Sequence, residues 1–222
     1  MAILATGDEV VPVDAHPRAD QVRNSNAYSL AVQVARAGGE PMLLETAHDT
    51  AASTRKMMRQ GLDDADLLLI SGGVSAGKYD LVETILAEFE ARFFFTRVKL
   101  QPGQPLVFGR CGERFFFGLP GNPTSTMVTF ELFARAAIEL LSGEQVPMLP
   151  LLTAALAAPL HQKAGLTRVL PATLSPDGAT VTPIHWKGSG DIPSVARANC
   201  FTVSEPDREL YETGDFIRVL PQ

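Results

Sequence analysis

The chain has 222 residues, 45% of them hydrophobic and 20% charged, which excludes a disordered tail and leaves room for a domain of about 100–150 residues beside a smaller one. Its formal charge of −6 argues against general nucleic-acid binding, where a basic stripe is expected. It also means that an anionic ligand must be held by local amides, single cations or a metal, because the overall field repels it.

In chain order, Ala2–Thr6 reads as a strand. Asn24 or Ser25 can cap a helix with apolar positions Leu30, Ala31, Val34 and Ala35, stopped by Gly38-Gly39. Met42–Thr46 reads as a strand, and Thr50 caps a second helix that Gly61 stops near Gln60. Asp66–Ser71 is a continuous apolar run, the pattern of a strand buried on both faces. Asp80–Phe89 is helical, with Leu81, Ile85, Leu86 and Phe89 on one side. Phe93–Leu100, Leu106–Arg110 and Arg114–Leu119 are strand-like, and a helix runs from about Pro123 to Leu141. Strands alternating with helices predict an α/β domain over residues 1–146, a mostly parallel sheet in three layers. After the linker Val146–Pro150, short strands at Leu151–Ala157, Thr167–Leu174, Thr180–Ile184, Phe201–Ser204 and Asp215–Leu220 are separated by turns. Residues 147–222 therefore read as a small all-β, barrel-like domain.

Cys111 and Cys200 form neither a CxxC pair nor a disulfide framework, so a reducing cytoplasm is expected. No apolar run approaches the ~20 residues of a membrane helix, and no signal peptide is read, so no membrane partner is expected. The chain enters its first apolar run at Ile3, and a domain rarely begins inside its own first strand. It is therefore expected to be a piece of a longer protein.

In open α/β sheets, ligands bind outside the carboxyl ends of the strands. Three loops there are unusual: Thr6-Gly7-Asp8-Glu9, the run from Ser71 to Asp80 (SGGVSAGKYD), and the run from Gly118 to Ser125 (GLPGNPTS). Glycines let the backbone approach a ligand, and a helix N-terminus presents unpaired amides suited to an oxyanion. Asp8, Glu9 and Asp80 could supply carboxylates to Mg²⁺, which takes one or two of them with substrate oxygens and waters. Gln101-Pro102-Gly103-Gln104-Pro105, Arg168 and the glycine-rich Lys187–Asp191 are further candidates. The four histidines show no metal spacing, and no Walker loop, dinucleotide fingerprint or Ser-His-Asp arrangement is present.

TGDEV, Arg23-Asn24-Ser25-Asn26, SGGVSAGKYD, QPGQP, FGLPGNPTS and KGSGDIPSVARAN, in that order, resemble the molybdopterin molybdenumtransferases, the MoeA proteins, whose relatives include the E domain of gephyrin. The resemblance covers essentially the whole chain. It implies the third and fourth of four domains, with an active site completed across a homodimer by an absent N-terminal part. It implies insertion of molybdate into adenylylated molybdopterin with release of AMP, dependent on Mg²⁺, and contact with a molybdopterin adenylyltransferase. By position it implies catalytic and Mg²⁺-binding roles for Glu9 and Asp80. Substrate contacts are implied at Thr6, Gly7, Asp8, Gly72, Gly73, Ser75, Gly77, Pro120, Gly121, Asn122, Pro123 and Ser125, and molybdate contacts at Gln104, Pro105, Arg168 and Ser189. The family often has lysines where this chain has Gln101 and Gln104. A neutral amide replaces a point charge there, leaving the charge to Arg168, Lys99 or Lys187. Two other readings are a related adenylyltransferase, in which GGTG would be expected in place of GGVS, and a non-catalytic molybdopterin-binding or scaffold module.

Overall fold

The computed structural model of the chain describes residues 1–74 and 81–222, so the expected sites at Ser75, Gly77 and Asp80 lie outside the described residues. The chain forms two compact units. One comprises Met1–Val98 with Pro105–Pro147, the other Lys99–Gln104 with Met148–Gln222. The single cut expected after residue 146 thus misses one excursion: the QPGQP segment up to Gln104 is part of the second unit.

The first unit runs β1 (Ala2–Ala5), β2 (Val10–Val11), β3 (Val22–Arg23), α1 (Ser25–Arg36), β4 (Met42–Leu43), α2 (Ala51–Asp64), β5 (Leu67–Ser71), α3 (Leu81–Glu88) and β6 (Arg92–Arg97). It leaves for β7 (Leu100–Gln101) of the second unit. It then returns through β8 (Pro105–Cys111), β9 (Arg114–Leu119), α4 (Pro123–Thr129), a π-helical turn (Phe130–Ala134) and α5 (Arg135–Leu141). Six strands form one sheet in the order β4-β1-β5-β9-β8-β6. The first four are parallel, and β8 and β6 are antiparallel to their neighbours.

Alternation along the central strands builds two cores. Ala2, Leu4, Leu68, Ile70 and Phe116 face Met57, Met58 and Leu62 of α2 and Val82, Ile85 and Leu86 of α3. Ile3, Leu67, Leu69, Phe117 and Leu119 face Ala27, Leu30 and Val34 of α1, with Phe130, Ala134 and Ile138 of the last helical run. The sheet is covered on both faces, the three-layer α/β architecture that the continuous apolar run of β5 requires.

Several expected boundaries move for physical reasons. Gly61 does not stop α2. It lies inside the helix, where a Cβ would stand 2.6 Å from Leu68 Cδ1, so this glycine permits close helix–sheet approach. The strand expected over Phe93–Leu100 is two strands in different sheets. The helix from Pro123 is continuous but widens into a π turn, and just before that turn Gln33 Nε2 of α1 donates to the Met127 carbonyl at 3.1 Å. A side chain inserted into the helical ladder accounts for such a widening.

The second unit continues through β10 (Leu152–Leu156), β11 (Leu160–His161), β12 (Thr167–Leu174), β13 (Thr180–Pro183), α6 (Ile192–Arg197), β14 (Cys200–Ser204), β15 (Leu210–Tyr211) and β16 (Phe216–Pro221). Its sheet has the order β13-β10-β16-β14-β12-β7, and β13 also pairs with β12. Five strands therefore close on themselves, which removes exposed sheet edges, and β7 adds outside the ring along β12. Ala154, Leu156, Val181, Cys200, Ile217 and Val219 fill the interior.

Phe116 is fully buried in β9 and packs edge-on against Phe93 with ring centroids 5.8 Å apart. Phe116→Ala is expected to lower the unfolding free energy by about 3–5 kcal/mol, the usual cost of emptying an aromatic core position. Chemical denaturation at matched slope measures it, and a loss below about 1 kcal/mol would show that the core refills.

Candidate functional site

The parallel strands deliver three loops to one edge of the first sheet. β1 sends its chain to α1 on one face, whereas β5 sends its chain to α3 on the other. Such a divergence between neighbouring strands marks the usual ligand position in open α/β sheets.

Backbone bonds hold the loop ends together. The Thr6 amide donates to the Ser71 carbonyl at 3.1 Å, the Gly7 amide to the Ala47 carbonyl at 3.1 Å, and the Gly72 amide to the Leu119 carbonyl at 3.2 Å. Gly72 has φ of 95°, and a Cβ there would stand 3.0 Å from both the carbonyl oxygen and the hydroxyl of Thr6. Gly73, with φ of 66°, would place a Cβ 2.6 Å from Val82. A Cβ on Gly121 would lie 3.5 Å from the Gly72 Cα. Thr6, Gly72, Gly73 and Gly121 therefore meet at one point, with backbone approaching backbone because side chains are missing.

The loop after β9 is rigid. Pro120 is buried, Pro123 opens α4, and the Thr126 hydroxyl donates to the carbonyls of Pro120 and Asn122. Asn122 is exposed and stands at the N-cap without a side-chain capping bond, while Ser125 is buried. Thr124 is fully buried, and among the described residues its hydroxyl has no partner.

The carboxylates at the mouth behave differently from one another. Asp8 Oδ1 accepts from His48 Nδ1 at 3.0 Å and from the Asp49 amide, while Asp49 Oδ2 accepts from the Asp8 amide. Asp8 is thus committed to bracing the loop against the start of α2. The exposed Glu9 folds back over Gly7, its carboxylate within 2.5–2.7 Å of where a Gly7 Cβ would stand. Among the described residues no three His, Cys, Asp or Glu side chains converge as a metal cluster.

In the sequence, Asn26 has a place in a family motif but no site role, and His48 and Asp49 have none either. Only Asn26 carried a signal: it stands at four-residue spacing with Leu30 and Val34 on the buried stripe of α1, where a polar residue is out of pattern.

The residues expected at molybdate divide between the units. Pro105 belongs to the first; Gln104, Arg168 and Ser189 belong to the second. Within the second, Arg168 on β12 stands opposite Gln101 on β7, and its Nε donates to the Lys163 carbonyl at 3.2 Å. Ser189 lies in the loop that Asp191 braces, where the carboxylate accepts from the Ser194 hydroxyl at 2.7 Å and from the Lys187 amide at 3.1 Å. The Ser194 hydroxyl first, and the Lys187 amide next, hold the Asp191 carboxyl below its ordinary range.

The fold and loop cluster define an open α/β ligand-binding unit followed by a closed β barrel. Residues 2–140 match the family described as a probable molybdopterin binding domain, and residues 153–222 match the MoeA C-terminal region, domain IV. The chain belongs to the MoeA family. It is 26% identical over 222 residues to the molybdopterin molybdenumtransferase of Staphylococcus epidermidis, covering 99% of this chain and 53% of that protein. The enzyme of the same name from Staphylococcus aureus is 27% identical with the same coverage. The crystal structure of a molybdopterin biosynthesis MoeA protein from Pyrococcus horikosii superposes with a TM-score of 0.85 at 26% identity, covering 99% of this chain and 53% of that one. A molybdenum cofactor biosynthesis protein from Pyrococcus furiosus shares the fold, with a TM-score of 0.73 at 19% identity, covering 100% of this chain and 67% of that one. The chain spans about half the length of the curated relatives it matches.

Two outcomes follow. Gly72→Ala combines a left-handed backbone with contact on Thr6 and is expected to cost roughly 1–3 kcal/mol in chemical denaturation; an unchanged midpoint would show that the loops do not abut. Cys111 and Cys200 are buried, which pushes both thiols up to about 11. The thiolate is the reactive form, so at pH 8 both are expected to resist a thiol reagent in the native chain and to react once denaturant is added. Fast labelling of the native chain would contradict this.

Proposed function

We propose that this chain carries the molybdopterin-binding part of a molybdopterin molybdenumtransferase, the activity named for its relatives, and acts in molybdenum cofactor biosynthesis. The observation that carries the reading is the meeting of Thr6, Gly72, Gly73 and Gly121, which presents glycine backbone where a phosphate can approach. In this proposal the substrate is adenylylated molybdopterin. Its phosphates lie along Thr6, Gly7, Asp8, Gly72, Gly73, Ser75 and Gly77, with Pro120, Gly121, Asn122, Pro123 and Ser125 forming the opposite wall. The match of residues 153–222 to domain IV of MoeA supports this reading over that of an adenylyltransferase.

Molybdate is assigned to Gln104, Arg168 and Ser189 of the second unit, with Arg168 as its cation. The chemistry is positioning. Loop amides hold the nucleotide-linked phosphate, and molybdate is presented to the dithiolene as AMP departs. Mg²⁺ is assigned to the exposed Glu9 carboxylate rather than to Asp8, whose Oδ1 already accepts from His48 Nδ1 and the Asp49 amide. Glu9 and Asp80 are its proposed ligands, with substrate oxygens completing the shell. Bound there, the ion offsets the repulsion between an acidic protein and an anionic substrate. The remaining proposals are a homodimeric whole protein, a transient contact with a molybdopterin adenylyltransferase, and a cytoplasmic location. No helix among the described residues is long and apolar enough to cross a membrane.

The test is calorimetry of the chain with adenylylated molybdopterin, alongside AMP release with molybdate and Mg²⁺ in the full-length protein. Saturable binding and molybdate-dependent release are expected; a folded chain that binds nothing would overturn the proposal, and binding without release would favour a scaffold. Arg168→Gln in the full-length protein is expected to raise the KM for molybdate about tenfold or more and leave pterin affinity unchanged, because one charge-assisted contact is lost. An unchanged KM would remove Arg168 from the molybdate site.

A further inference from the structure

One side chain outside the three loops ties two of them together. Asn26 stands in the first turn of α1, and its Nδ2 donates to Ser71 Oγ at 2.8 Å and to the Gly121 carbonyl at 2.7 Å. Ser71 ends β5, and Gly121 lies in the loop after β9. A carbonyl only accepts, so the amide orientation is fixed by chemistry: the nitrogen faces Gly121.

Asn26 has a second property that a packing residue would not need. It is 9% exposed, and among the described residues its Oδ1 is buried without a partner. Burying an acceptor without a donor is unfavourable, and a leucine on this stripe would fill the space without that penalty. Nor is Asn26 required to cap the helix, because Asn24 does so, accepting from the Ala27 amide at 3.1 Å. What the asparagine supplies is two N–H donors at a place where the end of β5 and the loop after β9 are both in reach.

We propose that Asn26 is a positioning residue: it holds the loop after β9 down on Gly72 and so sets the spacing of the backbone groups that face the ligand. The functional half of this statement rests on the reading that molybdopterin binds at these loops. The mechanical half does not. Without the Gly121 bond, the loop retains the Thr126 brace on Pro120 and Asn122 at its α4 end. It loses its tie at Gly121, so loosening should be local to residues 119–122.

The test combines amide hydrogen exchange with molybdopterin calorimetry on the wild type, Asn26→Ala and Asn26→Leu. The leucine keeps the size and branching and has no proton to donate. Both variants are expected to speed exchange of the Leu119, Gly121 and Asn122 amides by roughly tenfold while α2 stays protected, and to weaken molybdopterin binding by a similar factor. In the wild type, the Asn26 side-chain amide protons themselves should exchange slowly, a measurement that needs no variant to fold. Rapid exchange of those protons would overturn the clamp. So would an Asn26→Leu chain that matches the wild type in loop protection, since shape and not donation would then suffice. Loosened loops with undiminished affinity would overturn the positioning role. A wild type that binds no molybdopterin removes the functional reading, while the exchange measurements still decide the clamp.

Discussion

Strand β5 has all five residues buried, a parallel neighbour on each edge and helices over both faces. That double burial is the constraint on which the rest of the first unit depends. Leu67 and Leu69 point to the core beneath α1 and the last helical run, Leu68 and Ile70 to the core beneath α2 and α3. A shift of one residue would exchange the two sets, so register is fixed where the sheet is thickest. The carboxyl end of β5 is therefore an anchored point, and Ser71, Gly72 and Gly73 leave from it toward opposite neighbours.

From that anchor the site is assembled with little help from charged side chains. The chain is acidic, and Asp8 is taken up with His48 and Asp49. What remains at the meeting of loops is backbone brought close by glycine, stiffened by Pro120 and Pro123 and tied by Asn26. Such an arrangement recognises an anion by amides and shape, and requires its long-range attraction from elsewhere. The metal proposed at Glu9 would supply it.

Much of this was legible in the sequence because the signals are local. The unbroken apolar run before Ser71 announces a doubly buried strand. Glycines and prolines mark the loops after β1, β5 and β9, and Thr50 marks a cap that the structure places where expected. The less legible features depend on contacts distant in sequence. Gly61 reads as a helix stop, yet its role is set by Leu68 across the helix–sheet interface. Phe93–Leu100 reads as one strand, yet Leu100 pairs with Thr167 in the second unit. The two-residue strands β11 and β15 are too short to carry a period. Asn26 looks like part of a helix start until Gly121, 95 positions later, is placed beside it.

The central claim is that the ligand lies at the ends of β1, β5 and β9. Titrating isotope-labelled chain with molybdopterin and following backbone amide shifts tests it most directly. The account predicts the largest changes at Thr6–Asp8, Gly72–Val74 and Gly121–Asn122. Changes confined to residues 151–222, with those loops silent at saturation, would contradict it.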